Sequence, residues 1–96
     1  MNNKSHICWI DGLWGSNNHL TLPLSDRGLN LGDGIFETIL ILNGQPKLLK
    51  NHISRWIRTA SILKMAPPPN IQWLMPLIYE AIDRTSLQKS NGVLRL

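Results

Sequence analysis

The stretch Ile35–Leu42 constrains this chain more than any other. It is the most apolar part of the sequence, is β-branched at several positions, and runs directly into Asn43-Gly44. β-Branched side chains suit an extended backbone, and Asn-Gly supplies the two positive-φ residues of a two-residue hairpin. A strand ending in a tight turn is therefore expected, with Gln45–Leu49 returning beside it. Alternate residues of a strand face opposite ways, so Phe36, Thr38, Leu40 and Leu42 share one side, and Ile35, Glu37, Ile39 and Ile41 the other. Glu37 is the odd member of its side. An unpaired buried carboxylate costs on the order of several kcal/mol, so a basic neighbour is expected: Arg27 first, His52 second. A structural role for Glu37 is favoured over a catalytic one.

Other signals divide the remaining chain. His6–Ile10 is a short β-forming run, Asp11-Gly12 a second hairpin signal, and Leu13-Trp14 the start of the return. Gly15–His19 reads as a turn and Leu20–Leu24 as a short extended piece. Ser25–Gly34 has three glycines and three acidic or amide residues in ten positions, the composition of a compact loop. Ile53, Trp56, Ile57, Ala60 and Leu63 recur at helical spacing, with Asn51 as a cap and Pro67-Pro68-Pro69 ending the helix. A second helix is expected from Ile71 to Leu87, where Pro76 is tolerated in the first turn and disruptive beyond it. Ser90-Asn91-Gly92 is a turn into the strand Val93–Leu96. The order β-β, loop, β-β, α, α, β describes a single α+β domain over residues 1–96, a mainly antiparallel sheet of hairpins with two helices.

The formal net charge is +4, yet the ten basic residues are scattered and not interleaved with aromatics. That pattern argues against nucleic acid and suits a small anionic ligand. Cys8 is the single cysteine, which excludes an intrachain disulfide, and its apolar surroundings predict a buried, inert thiol. His6, His19 and His52 are too isolated to suggest zinc, and Asp26 and Asp33 are expected to stabilise turns, not to bind metal. Trp9, Trp14, Trp56 and Trp73 are read as core or interface anchors. No hydrophobic signal core follows Met1–Ser5 and no run reaches membrane-spanning length, so the cytoplasm is the expected compartment and no membrane partner is expected.

Four pieces stand in order: Ser25-Asp26-Arg27-Gly28, Gly32-Asp33-Gly34-Ile35-Phe36-Glu37-Thr38, Asn43-Gly44 and His52-Ile53-Ser54-Arg55. With Trp9-Ile10-Asp11-Gly12 before them and Asn91-Gly92-Val93-Leu94-Arg95 after, they resemble the N-terminal small domain of class IV (fold-type IV) pyridoxal-phosphate enzymes. That family includes aminodeoxychorismate lyases, D-amino-acid aminotransferases and branched-chain aminotransferases. The resemblance implies pyridoxal 5′-phosphate as cofactor, with Arg55 on its phosphate. A guanidinium fork binds phosphate oxygens bidentately and keeps its charge at any working pH. Arg55 is expected to aim off the sheet, reaching solvent or borrowing a carboxylate from Glu37 or Asp33. The resemblance further places Phe36, Thr38 and Arg95 in the substrate pocket. Leu31 also matches a pocket position, but one often aromatic in relatives, so this chain departs from them there.

The family's Schiff-base lysine belongs to a second, larger domain, and none of Lys4, Lys47, Lys50, Lys64 and Lys89 matches its position. The chain is therefore expected to lack the C-terminal cofactor domain, to hold no cofactor covalently and to be inactive alone, whereas the full-length family forms homodimers. Among reactions, the motifs look nearest to aminodeoxychorismate lyase of the 4-aminobenzoate route, then to the D-amino-acid and branched-chain aminotransferases. The substrate is accordingly a small amino-acid-like molecule or aminodeoxychorismate. A non-catalytic interaction module, binding through apolar surface left exposed by truncation, is the alternative from another class.

Overall fold

A computed structural model describes residues 6–32 and 34–96. They fall into two compact units, one ending at Gly34 and the other spanning Ile35–Leu96. The expectations for Lys4 and Asp33 lie outside the described residues.

In the first unit, β1 (Cys8–Ile10) pairs antiparallel with β2 (Leu13–Gly15), Ile10 opposite Leu13. Asp11 and Gly12 both take positive φ, as a two-residue hairpin of this twist requires. Leu20–Leu24 forms no strand, and Cys8 is half-buried, not closed to solvent. The glycine-rich segment holds a short helix, α1 (Arg27–Leu31), where only a loop was expected. The Asp26 carboxylate accepts from the Leu29 N–H at 3.0 Å, and Gly32 closes the turn in the left-handed region, its N–H reaching the Gly28 carbonyl. An aspartate cap and a glycine at the C-terminal end thus convert a turn into one helical turn.

In the second unit, β3 (Thr38–Leu42) is the central strand, between β4 (Gln45–Pro46) and β5 (Gly92–Arg95), both antiparallel to it. The return strand is shorter than Gln45–Leu49 because the chain bends at Leu48 into α2 (Leu49–Ile62). Pro46 sits on the edge strand, where a missing N–H costs no ladder bond. The Asn43-Gly44 turn is docked: Gly44 donates to the Ser90 carbonyl, and the Asn91 side chain accepts from the Asn43 N–H. Gly44 is required twice, by its φ of 75° and because a Cβ there would fall 2.1 Å from the Gln88 carbonyl oxygen.

Helix α2 begins two residues before Asn51, which is therefore internal and not the cap. Leu48 takes the cap position in left-handed geometry without a side-chain bond. The earlier start lets Leu49 join Ile53 and Ala60 on the buried face, spaced four and seven residues apart. Ile57 and Leu63, expected inside, are exposed. The helix ends well before the prolines. Lys64 turns left-handed while Met65 N–H bonds the Ala60 carbonyl and Lys64 N–H that of Ser61, a Schellman closure. Helix α3 (Ile71–Arg84) is capped by Asn70, whose side chain accepts from the Trp73 N–H. Its own Schellman closure, at Ser86, stops it short of Leu87. Pro76 lies in the second turn of α3, where it removes one helical hydrogen bond.

Ile39 and Ile41 of β3, Leu49 and Ile53 of α2, and Leu74, Ile78 and Ile82 of α3 form one core, with Trp56, Leu87, Leu94 and Leu96 packed at its margin. Trp73 is half exposed, so only Trp56 of the α2 and α3 tryptophans anchors this core.

Candidate functional site

The alternation expected along Ile35–Leu42 holds. Glu37, Ile39 and Ile41 are buried against the helices, and Phe36, Thr38 and Leu40 are exposed. Register then brings Arg95 of β5 opposite Thr38 and Val93 opposite Leu40. The Arg95 guanidinium lies 5.1 Å from the centre of the Phe36 ring, a cation–π distance. Phe36, Thr38 and Arg95, far apart in sequence, thus share one exposed sheet face carrying a cation, a hydroxyl and apolar surface. Leu31, the last residue of α1 in the other unit, is exposed.

Glu37 is 5 % exposed and fully partnered. His52 Nδ1 stands 2.6 Å from its Oε1, and Arg55 Nη2 donates to the same oxygen at 2.7 Å. Arg55 Nε–H bridges both oxygens at 3.2 and 3.0 Å. His52 and Arg55 are three residues apart on α2, hence on one helical face. His52, the second-named partner, thus reaches the carboxylate together with Arg55, two side chains of one helix. The Arg55 hydrogen bond is the main force lowering the Glu37 pKa; burial opposes it and His52 assists. Glu37 in turn raises the pKa of Arg55 and keeps it charged.

Arg55 is 58 % exposed, so it both reaches solvent and borrows the Glu37 carboxylate. It stands on the helix side of β3, whereas Phe36 and Thr38 look the other way. Arg55 therefore does not face Phe36 and Thr38 across the strand; it is linked to them only along the chain, through Glu37 between them. An open depression of about 510 Å³ beside Arg55 is lined by Lys50, Asn51, His52, Ser54 and Arg58 as well. Lys50 and Arg58 were not anticipated; the signal was Arg58 three residues after Arg55 on a helix.

Does this donor set suit a dianionic phosphate? A guanidinium has five N–H bonds in a fixed fork. Glu37 takes the Nε–H and one on Nη2, so among the described residues three N–H bonds remain unspent. Their guanidinium head is charged and exposed, and it lines the same depression as Leu48, Lys50 and Asn51 at the start of α2, which has no side-chain cap. The chemistry fits. Among the described residues no cluster of His, Cys, Asp and Glu could hold a metal ion, and no helix is long and apolar enough to cross a membrane.

Residues 34–96, which contain this whole cluster, match the family described as amino-transferase class IV. The chain belongs to the class IV aminotransferases. Its sequence is 30 % identical to the chloroplastic D-amino-acid transaminase of Arabidopsis thaliana over 77 % of this chain and 20 % of that protein. It is 27 % identical to the D-alanine aminotransferase of Listeria monocytogenes over 83 % of this chain and 30 % of the relative. Among solved structures, a hypothetical aminotransferase from Mycobacterium tuberculosis, determined in a PLP-bound form, superimposes with a TM-score of 0.76 at 26 % identity. That match covers 90 % of this chain and 30 % of that one. A fold IV-transaminase from Curtobacterium pusillum matches at TM-score 0.69 and 26 % identity, over 86 % of this chain and 28 % of the other. The chain thus spans between a fifth and a third of the length of these relatives. The class IV aminotransferase family and the α+β fold expected from the motifs are both borne out.

Proposed function

We propose that this chain forms the N-terminal small domain of a pyridoxal-phosphate enzyme that transfers the amino group of a D-amino acid. The observation that carries the reading is Arg55, held along one edge by Glu37, exposed to solvent and lining the open depression. When bound, pyridoxal phosphate supplies an electron sink for bond cleavage at an amino-bearing carbon. The chain's own residues bind and orient. Arg55 would hold the phosphate, with Lys50 and Arg58 adding positive field. On the other face Arg95 would take a substrate carboxylate, Thr38 would offer a hydrogen bond, and Phe36 and Leu40 would exclude water from the pocket. None of the chain's lysines is assigned the covalent role, so a lysine-bearing second domain, a homodimer and a cytoplasmic location belong to the same proposal.

The aminodeoxychorismate lyase reading rests on the motif pieces; the named relatives, D-amino-acid and D-alanine aminotransferases, support transfer. The test is the product of the complete reading frame, purified and given D-alanine with 2-oxoglutarate. Pyruvate formed only with the acceptor present supports transfer. Pyruvate released from aminodeoxychorismate without any acceptor replaces transfer by the lyase reaction. Neither product, together with no retained pyridoxal phosphate, overturns the reading in favour of a non-catalytic module.

A further inference from the structure

We propose that Glu37 is the positioning residue of this anion site: its carboxylate, braced by His52, clamps one edge of Arg55 and turns the other fork outward to a phosphate monoester. The inference rests on the reading above that Arg55 takes the cofactor phosphate.

The geometry separates an anchor from an effector. Glu37 is closed to solvent, and its backbone is pinned at the end of the β3–β5 ladder, donating to the Leu96 carbonyl at 3.0 Å and accepting from the Leu96 N–H at 2.9 Å. Neither its main chain nor its side chain is free to follow a ligand. The ionised carboxylate accepts, so His52 Nδ1 carries a proton and donates, bracing Oε1 alongside Arg55 Nη2. Arg55 is the reverse case, anchored at its Nε edge and exposed at its tip. An unrestrained arginine at a helix surface spreads over many rotamers and loses that freedom when it binds an anion. Clamping the Nε and Nη2 edge removes most of the loss beforehand, which is preorganisation. The end of the guanidinium, with one N–H on each terminal nitrogen, remains as a second bidentate fork. A pair serving stability alone has no need to leave that fork facing a depression shared with Lys50 and Arg58.

The test uses the chain labelled with ¹⁵N-arginine and probes it with inorganic phosphate and pyridoxine 5′-phosphate, with pyridoxine as the phosphate-free control. In the wild type the Arg55 Nε–H signal, identified by its loss in Arg55→Lys, should exchange with water at least about tenfold more slowly than that of exposed Arg58, because its proton is held in two hydrogen bonds. It should also shift on adding phosphate. Glu37→Gln should bring the exchange up to the Arg58 rate and weaken phosphate and pyridoxine 5′-phosphate binding by roughly tenfold, leaving pyridoxine unchanged. His52→Gln, which keeps the clamp and loosens its brace, should weaken binding by roughly twofold. Wild-type Arg55 exchange as fast as Arg58 overturns the positioning role, and this measurement decides even if Glu37→Gln fails to fold. A folded Glu37→Gln chain that binds phosphate like the wild type, or an equal loss for pyridoxine, overturns it too. Failure of the underlying reading looks different: Arg55→Ala would then bind both phosphate probes undiminished, removing Arg55 from the site altogether.

Discussion

The two faces of β3 carry similar apolar content and meet opposite fates. Ile39 and Ile41 are closed to solvent, whereas Leu40 between them and Phe36 just before the strand are about half exposed or more. Hydrophobicity therefore does not tell the core face from the site face. What separates them is the pair of helices: Leu49, Ile53, Leu74, Ile78 and Ile82 all meet the isoleucine side. The buried charge marks the same division from the other direction. Glu37 sits among the isoleucines because α2 brings it His52 and Arg55, while the exposed face keeps Arg95 at its rim.

Truncating each face in turn is the largest test of this contrast. Ile41→Ala should destabilise the chain by about 2–5 kcal/mol in chemical denaturation, since its cavity would lie between the sheet and both helices. Equal losses from Ile41→Ala and Leu40→Ala would break the comparison. Next comes the turn that joins β3 to β4. Gly44→Ala should cost about 1–3 kcal/mol, because the added carbon meets the Gln88 carbonyl in a backbone region unfavourable to alanine. Gly12→Ala, with positive φ but open space around it, should cost less.

Acid sharpens the comparison by acting on the buried face alone. The Glu37 carboxyl is held below its ordinary value near 4.5 in the folded state, first by Arg55. Its contribution to stability is therefore full above the ordinary carboxylate range and is lost as pH falls through the lower folded value. Urea midpoints should drop over that acidic window, and Glu37→Gln should start lower at neutral pH and show a shallower acid slope. An unchanged slope would mean that the cluster does not titrate with folding. The smallest effect belongs to the exposed face. Leu40→Ser or Val93→Thr should move stability by only about 0.5 kcal/mol, and in a complete enzyme should instead alter the Michaelis constant for substrate.

Much of this was legible along the chain. Both hairpin turns, the alternation of β3, the Asp26 turn bond and the family itself follow from local residue chemistry and from motifs at set distances. Helix boundaries were less legible. Asn51 had the right side chain for a cap but the wrong place, because burying Leu49 on the core outweighed a local capping bond. The prolines at 67–69 marked a stop that the left-handed turn at Lys64 had already made. Leu87 fitted the helical period, yet folded back after Ser86 to cover the core end of α3.

The amino-acid sequence alone determined which residues could form turns, which strand would alternate, and that Glu37 would need a cation. These depend on backbone sterics and on the solvation of one side chain, which are local quantities. Tertiary structure decided which cation, and which face of β3 would stay open. Arg27 is nearer to Glu37 in sequence, but α2 packs His52 and Arg55 against it, and only three-dimensional packing sets distances across fifteen and eighteen residues. The same packing placed Arg95 over Phe36, because strand register, not sequence proximity, brings the two ends of the second unit together.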